Sequence, residues 1–197
     1  MKTMVLFFGR ANPPHMGHGL AFKKVLEIAK NNSADHVIYI TKTIDKKKNP
    51  LSVNRKIFWL RKMFGSKINF VPAPGSFIDA IKEQNGKYSD LIVVAGADRI
   101  PEYQKLLDRY NGTKDFSFEK ILVVSAGARD PDAEGTAGLS ATKMRAAAVS
   151  GDIETISRGT GLNTKDSEQL AKEIRAGLGL NESRLSFRQW ISEMLSH

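Results

Sequence analysis

The chain has 197 residues, 41% of them hydrophobic, which is enough apolar material for the core of one globular domain. It contains no cysteine, so disulfides and thiolate chemistry are excluded and a cytoplasmic setting is expected. The net charge of +9 is concentrated in residues 42–67, where nine basic residues against one acid give +8 and suit a polyanion, either nucleic acid or the phosphates of a nucleotide.

Five short apolar runs predict buried strands, in chain order at 4–8, 36–40, 68–71, 90–95 and 120–125. The first run is too short to span a bilayer, so no membrane association is expected. Apolar residues at helical spacing predict helices near 17–31, 52–64, 76–85 and 99–110, with Ser52 and Ser76 as N-caps. A further helix is predicted from Ser140 or Thr142 to Gly151, and residues 166–197 predict two more.

Alternating strands and helices predict an α/β fold, a Rossmann-like doubly wound parallel sheet of about five strands with a C-terminal helical extension. The predicted domain spans residues 1–161 and the helical tail spans 162–197. Ligands of such sheets bind beyond the carboxyl ends of the strands. Segments 9–18, 41–50, 95–99 and 125–140 each follow a strand and are expected to meet there, whereas 126–138, rich in Gly, Ala and Asp, is expected to form a mobile loop.

The segment GRANPPHMGH places two imidazoles, His15 and His18, three residues apart at the expected start of a helix. Gly9 permits a close approach of the backbone to a ligand, and N–H groups at a helix start attract anions. Imidazoles can donate hydrogen bonds to phosphate oxygens, and Arg10 can add a bidentate contact. The pattern predicts a phosphate site, whereas a zinc site would need further ligands and is disfavoured.

The segment LSATKMR, residues 139–145, predicts a second phosphate contact. Ser140 and Thr142 can offer hydroxyl and backbone N–H donors at a helix start, and Arg145 lies about one turn further on. The alternative is an ordinary capped helix with an exposed arginine. In AGADR, residues 95–99, Asp98 can bind a ribose or an amide and Gly96 permits close approach; the alternative is an aspartate that caps the next helix.

These motifs resemble the two signatures of the nucleotidyltransferase superfamily (cytidylyltransferase-like), H-x-G-H and I-S-x-T-x-x-R, with Leu139 in place of Ile. The form G-R-x-x-P-x-H-x-G-H is similar to that of nicotinamide mononucleotide adenylyltransferases of the archaeal and bifunctional-regulator type. The segment KKKNPLSVNRKIFWL is similar to the basic segment that follows the second strand in these proteins. The resemblance covers about residues 3–150, in order.

The resemblance implies transfer of AMP from ATP, accompanied by Mg²⁺, to a phosphorylated acceptor, with nicotinamide mononucleotide giving NAD as the leading case. His15 and His18 would hold the triphosphate, His18 would stabilise charge at the α-phosphate, and Arg145 would clamp the leaving pyrophosphate. One lysine, Lys48 or else Lys47, would reach the transferring phosphate. The wider nucleotide-binding set that it implies is Phe8, Gly9, Arg10, Asn12, Gly17, Lys47, Gly96, Asp98, Ser140 and Thr142. No residue is assigned to the metal.

Three alternatives stay open: a phosphopantetheine adenylyltransferase, a cytidylyltransferase acting on a small phosphorylated alcohol, and a nucleic-acid-binding protein without catalysis. Nucleic acid is disfavoured because the aromatic residues of the basic segment, Phe58, Trp59 and Phe64, stand at the spacing of a helix core. Trp59 is therefore expected in the core. The tail, with Trp190, is expected to cover the acceptor pocket or to form a contact in a homo-oligomer.

Overall fold

The computed structural model describes residues 2–127 and 139–180, which contain a single five-stranded parallel sheet. The strand order is β3-β2-β1-β4-β5, so the order reverses between β1 and β4. The loops after these two strands therefore flank the crevice in which such folds bind ligands. This arrangement confirms the predicted Rossmann-like α/β fold. The strands are β1 (Thr3–Gly9), β2 (Asp35–Ile40), β3 (Phe70–Pro72), β4 (Asp90–Ala95) and β5 (Lys120–Ser125).

Four helices connect the strands, and three more follow β5. Ser52 and Ser76 cap α2 and α3 as predicted, and α5 begins after its cap Ser140 and ends at Gly151. Helix α6, capped by Asp152, has no counterpart in the prediction. The helices are α1 (Gly19–Asn31), α2 (Val53–Phe64), α3 (Phe77–Lys82), α4 (Ile100–Tyr110), α5 (Ala141–Ser150), α6 (Ile153–Thr160) and α7 (Thr164–Gly177), with 3-10 turns at Met16–His18 and Ala97–Arg99.

Strand β3 begins two residues later than predicted and includes Pro72. It lies at the edge of the sheet, where a proline is tolerated because an edge strand has one side without ladder partners.

The sheet is covered on both faces, because successive residues of a strand point to opposite sides. One face carries the cluster that includes Leu6, Tyr39, Ile81, Leu91 and Leu107. The other face carries the cluster that includes Val5, Phe22, Ile38, Leu60 and Phe70. Burial on both faces accounts for the continuous apolar runs that predicted the strands.

A third apolar cluster lies away from the sheet and joins α2 to the C-terminal helices. Trp59 is buried, as predicted, but it packs in this cluster rather than against the strands. The other buried members of this cluster are Leu51, Ala147, Ala148, Ile156, Leu162, Leu170, Ala171, Ile174 and Leu178. Residues 162–178 therefore share this core with α2, α5 and α6.

The first helix predicted for the tail is α7. The second predicted helix, with Trp190, lies outside the described residues, as does most of the predicted loop 126–138, namely residues 128–138. No helix within 2–127 and 139–180 is long and apolar enough to cross a membrane.

Candidate functional site

The turn that follows β1 holds two imidazoles in contact with each other at the start of α1. His15 is fully buried and His18 is half-buried, with ring centroids 4.0 Å apart at an angle of 47°. The Nδ1 atom of His18 lies 3.2 Å from the backbone nitrogen of His15, and the His18 N–H donates to the His15 carbonyl at 3.0 Å. His18 also lies parallel to the Phe22 ring at 6.1 Å. These contacts fix both rings relative to the helix start, where Gly17 forms the middle of the 3-10 turn.

Asn12 ties this turn to the loop that follows β2. Its side-chain amide donates to the Leu51 carbonyl at 3.0 Å, and its side-chain oxygen accepts from the Leu51 N–H at 3.0 Å. The side chain is buried, so the amide that we expected at the ligand instead joins two loops. Sterics also favour glycine at position 9, because a Cβ there would lie 2.5 Å from the Phe7 ring.

The loop 41–50 is closed by its one acid, Asp45. One carboxylate oxygen accepts from the N–H groups of Lys47, Lys48 and Asn49 at 2.8, 2.6 and 3.2 Å. The Asn49 amide donates to the other oxygen at 2.5 Å. These hydrogen bonds hold the pKa of Asp45 well below its usual range. The carboxylate therefore orders the main chain of Lys47 and Lys48, both of which are exposed residues.

Arg145 brings three segments of the chain together. Its Nη1 donates to the carbonyl of Asn12 at 3.0 Å and to the carbonyl of Lys48 at 3.1 Å. Its Nη2 donates to the Thr142 hydroxyl at 3.0 Å, while the Ser140 hydroxyl accepts from the Lys143 N–H and caps α5. The start of α5, the histidine turn and the basic loop therefore meet at one guanidinium.

Lys56, a residue that the sequence did not single out, lies buried next to this junction. It is fully buried on α2, and its Nζ donates to the Thr41 carbonyl at 2.5 Å. Burial and the nearby charge of Arg10 lower the pKa of Lys56 to about 8. Burial and the charge of Arg10 also lower the pKa of Arg145, although Asp45 opposes this effect. Arg10 thus lies close enough to both Lys56 and Arg145 to affect their charges. A site with these three cations is suited to an anion.

Thr41 adds a polar group to this anion site. Its Oγ1 is buried and has no hydrogen-bond partner within the described part of the chain. Its backbone N–H donates to the Gly9 carbonyl at 3.0 Å, which places the residue at the carboxyl edge between β1 and β2. A buried hydroxyl that lacks a partner is unusual in proteins and fits a site that is completed by a ligand.

One sequence signal could have found Lys56. It precedes Trp59 and Leu60 by three and four residues, so it lies on the buried face of α2. By its charge alone, Lys56 was only one of the nine basic residues of 42–67 that suit a polyanion. The charge of Lys56 favours an exposed side chain, whereas its position on the helix favours a buried one. In the structure the side chain is buried.

The remaining predicted residues lie along the same edge without joining the cluster around Arg145. Gly96 begins the 3-10 turn after β4, where a Cβ would lie 2.7 Å from Asp98 Oδ1. The Asp98 side chain is 82% exposed, with its nearest described cation, Arg99, at 3.7 Å. Asp98 does not cap α4, whose N-cap is Arg99. Phe8 packs edge-on against Phe77 at 5.9 Å and belongs to the core beside the sheet.

Neither a protein-family model nor a curated protein matches this chain. Among solved structures, the chain is similar to a proposed nicotinate-nucleotide adenylyltransferase from Vibrio parahaemolyticus, with a TM-score of 0.53 and 17% identity. The match covers 86% of this chain and 99% of that one. This likeness establishes the fold. At 17% identity it assigns no role to any residue of this chain.

Proposed function

We propose that the chain is a nucleotidyltransferase that transfers AMP from ATP to nicotinamide mononucleotide, giving NAD and pyrophosphate. The observation that carries this proposal is the hydrogen bonding of Arg145 to the carbonyls of Asn12 and Lys48. It joins the segments of both sequence signatures and the basic loop at the carboxyl edge of the sheet. Parallel α/β sheets bind nucleotides at this edge, near the reversal of strand order.

The proposed reaction is an in-line displacement at phosphorus. An oxygen of the acceptor phosphate bonds to the α-phosphorus of ATP as the bond to the β-phosphate oxygen breaks, and pyrophosphate departs with that electron pair. Catalysis of this kind needs positioning and charge stabilisation rather than a covalent enzyme intermediate. His15 and His18, held at the start of α1, would bind the triphosphate, and His18 would stabilise charge at the α-phosphate.

The cations have separate roles in this proposal. Arg145 would clamp the leaving pyrophosphate together with the Ser140 and Thr142 hydroxyls at the start of α5. Lys48 is the first choice for the transferring phosphate, since its main chain is bound by Arg145, and Lys47 is the second. Lys56 would attract the phosphates through its charge from beneath the loops, without touching them, where burial strengthens its electrostatic attraction.

Magnesium enters this proposal as part of the ATP substrate. Within the described ranges, no group of three His, Asp or Glu side chains could hold a metal ion. The magnesium in this proposal is a hydrated ion that bridges phosphate oxygens, since Mg²⁺ keeps several waters and needs few protein ligands.

Nucleic acid fits the basic segment less well than nucleotide phosphates do. Arg55 pairs with Glu173 at 2.6 Å, Lys62 pairs with Asp166 at 2.5 Å, and Lys56 is buried. Three of the nine basic side chains are thus engaged in ion pairs with α7 or buried, which leaves fewer of them for a solvated binding stripe.

The acceptor is tested by pyrophosphate release from ATP or CTP with nicotinamide mononucleotide, nicotinate mononucleotide, phosphopantetheine or glycerol 3-phosphate. We expect release from ATP with nicotinamide mononucleotide. The name of the Vibrio protein makes nicotinate mononucleotide the closest competitor, and the two differ in the charge of one substituent on the ring.

The mechanism is tested by His18→Ala, which we expect to lower kcat by about 10²–10⁴-fold while the fold is retained. His36→Ala is the matched control, because His36 lies on β2 at the opposite end of the strand from the site. Near-wild-type turnover in His18→Ala would remove the mechanism. Salt-sensitive affinity for DNA or RNA that survives His18→Ala, with no pyrophosphate release, would favour a binding protein instead.

A further inference from the structure

We infer that Glu173, on α7, is a positioning residue of the phosphate site, because it fixes α2 on both sides of Lys56. This inference rests on the proposed function, in which the buried charge of Lys56 attracts phosphate. It gives α7 a role in the proposed site, although α7 itself does not contact the substrate in this proposal.

The Glu173 carboxylate receives hydrogen bonds from three side chains. Arg55 donates from Nε to Oε2 at 2.9 Å and from Nη2 to Oε1 at 2.6 Å, a bidentate pair. The Trp59 indole donates to Oε2 at 2.9 Å, and Gln169 donates to Oε1 at 3.0 Å. The carboxylate is only 18% exposed, yet its pKa stays below the usual range, because these hydrogen bonds outweigh the effect of burial.

These contacts bracket Lys56 along α2. Arg55 and Trp59 are four residues apart, one helical turn, and Lys56 lies between them with its side chain turned to the sheet edge. The Lys56 ammonium reaches the Thr41 carbonyl at 2.5 Å from a fully buried position. A displacement of α2 by about 1 Å would break this hydrogen bond and move the charge away from the phosphates.

A second ion pair between the same two helices provides a matched control. Lys62 and Asp166 pair at 2.5 Å, and Asp166 is 15% exposed, close to the exposure of Glu173. Lys62 is six residues beyond Lys56, about 9 Å along the helix. Loss of this pair weakens the contact between α7 and α2 without releasing the turn that carries Lys56.

The experiment measures binding of inorganic tripolyphosphate by calorimetry and stability by urea unfolding, on the full chain. We expect Glu173→Gln to weaken tripolyphosphate binding by about 5–20-fold and Asp166→Asn to change it less than about twofold, at comparable losses of stability. In turnover assays the effect of Glu173→Gln should fall on KM for ATP rather than on kcat.

A double-mutant cycle separates positioning from general weakening. Lys56→Met alone should weaken binding by about 10–100-fold, and adding Glu173→Gln should weaken it no further, because Glu173 acts through Lys56. Additive losses, or equal binding losses in Glu173→Gln and Asp166→Asn, would overturn the inference. If Glu173→Gln does not fold, Arg55→Lys removes the bidentate pair from the other side and takes its place. A wild-type chain that does not bind tripolyphosphate would instead overturn the proposed function and this inference with it.

Discussion

Lys56→Met is expected to stabilise the protein while it removes a charge that we propose attracts phosphate. The wild-type ammonium is fully buried, makes one hydrogen bond to Thr41, and is subject to the like charge of Arg10. Methionine has a similar length and no charge to desolvate. Natural sites often retain such unfavourable groups because function requires them.

The size of the effect follows from the pKa of Lys56. Its ordinary value is 10.5 and its value in the fold is about 8, a difference that corresponds to about 3 kcal/mol against folding at neutral pH. The lost hydrogen bond to the Thr41 carbonyl returns about 1 kcal/mol. The net gain is about 2 kcal/mol, or an increase in Tm of about 4–8 °C for a chain of this size.

The dependence on pH carries the sharper test. Below pH 8 both folded and unfolded chains hold the Lys56 proton, so the wild-type fold bears the full cost. Between pH 8 and 10.5 the folded chain releases this proton first, so the stability of the wild type rises with pH. The advantage of Lys56→Met should therefore shrink across this window and vanish above it.

Urea unfolding at a series of pH values measures this advantage directly. Lys23→Met, at an exposed position of α1, is the control, and we expect it to change stability by less than about 0.5 kcal/mol. A Lys56→Met variant that is less stable than the wild type at pH 7, or whose advantage does not vary with pH, would refute the reasoning.

Three further predictions concern the contacts that shape the loops. Asn12→Ala leaves the Leu51 N–H and carbonyl without their partner, so we expect a loss of about 2 kcal/mol in urea unfolding; an unchanged midpoint would contradict this link between the loops. Gly177→Ala places a Cβ 2.0 Å from the Pro50 carbonyl oxygen, so thermal unfolding should show a loss of about 1–3 kcal/mol, whereas an unaltered Tm would mean that α7 shifts freely. The lowered pKa of Asp45 stabilises the fold above its ordinary value of 3.8, and this contribution is lost as pH falls below that value. In Asp45→Asn, the free energy of unfolding should therefore fall less steeply as the pH is lowered. The same acid dependence in both proteins would mean that the hydrogen bonds of Asp45 in loop 41–50 do not stabilise the fold.

The sheet and the loops at its carboxyl edge were predictable because their signals are local. Apolar runs such as LIVVA in β4 report a strand buried on both faces, and serines before α2 and α3 report helix starts. Parallel strands then oblige their following loops to meet at one edge. The meeting of Arg145 with the histidine turn follows from this topology and from two short motifs.

The other features depend on contacts that no local pattern encodes. Arg145 binds backbone carbonyls, which every residue has, so its partners at positions 12 and 48 carry no signature. Glu173 and Arg55 are 118 residues apart, and each alone is an ordinary charge on a helix. Lys56 looks solvated until α2 is placed against the sheet. Sequence reasoning predicted that these loops meet and that α2 exists, but not that α2 places a buried lysine beneath the loops.

The third apolar cluster sets the order in which parts of this protein can fold during its synthesis. All five strands are complete once Ser125 has been synthesised, and the two faces of the sheet can then be covered. Leu51 and Trp59 must wait for the residues of α7, more than 100 positions later in the chain. At about 5–20 residues per second, several seconds of translation separate the two events. The part of Trp59 that α7 covers, including the indole N–H that donates to Glu173, therefore stays exposed beside the basic loop until α7 leaves the ribosome.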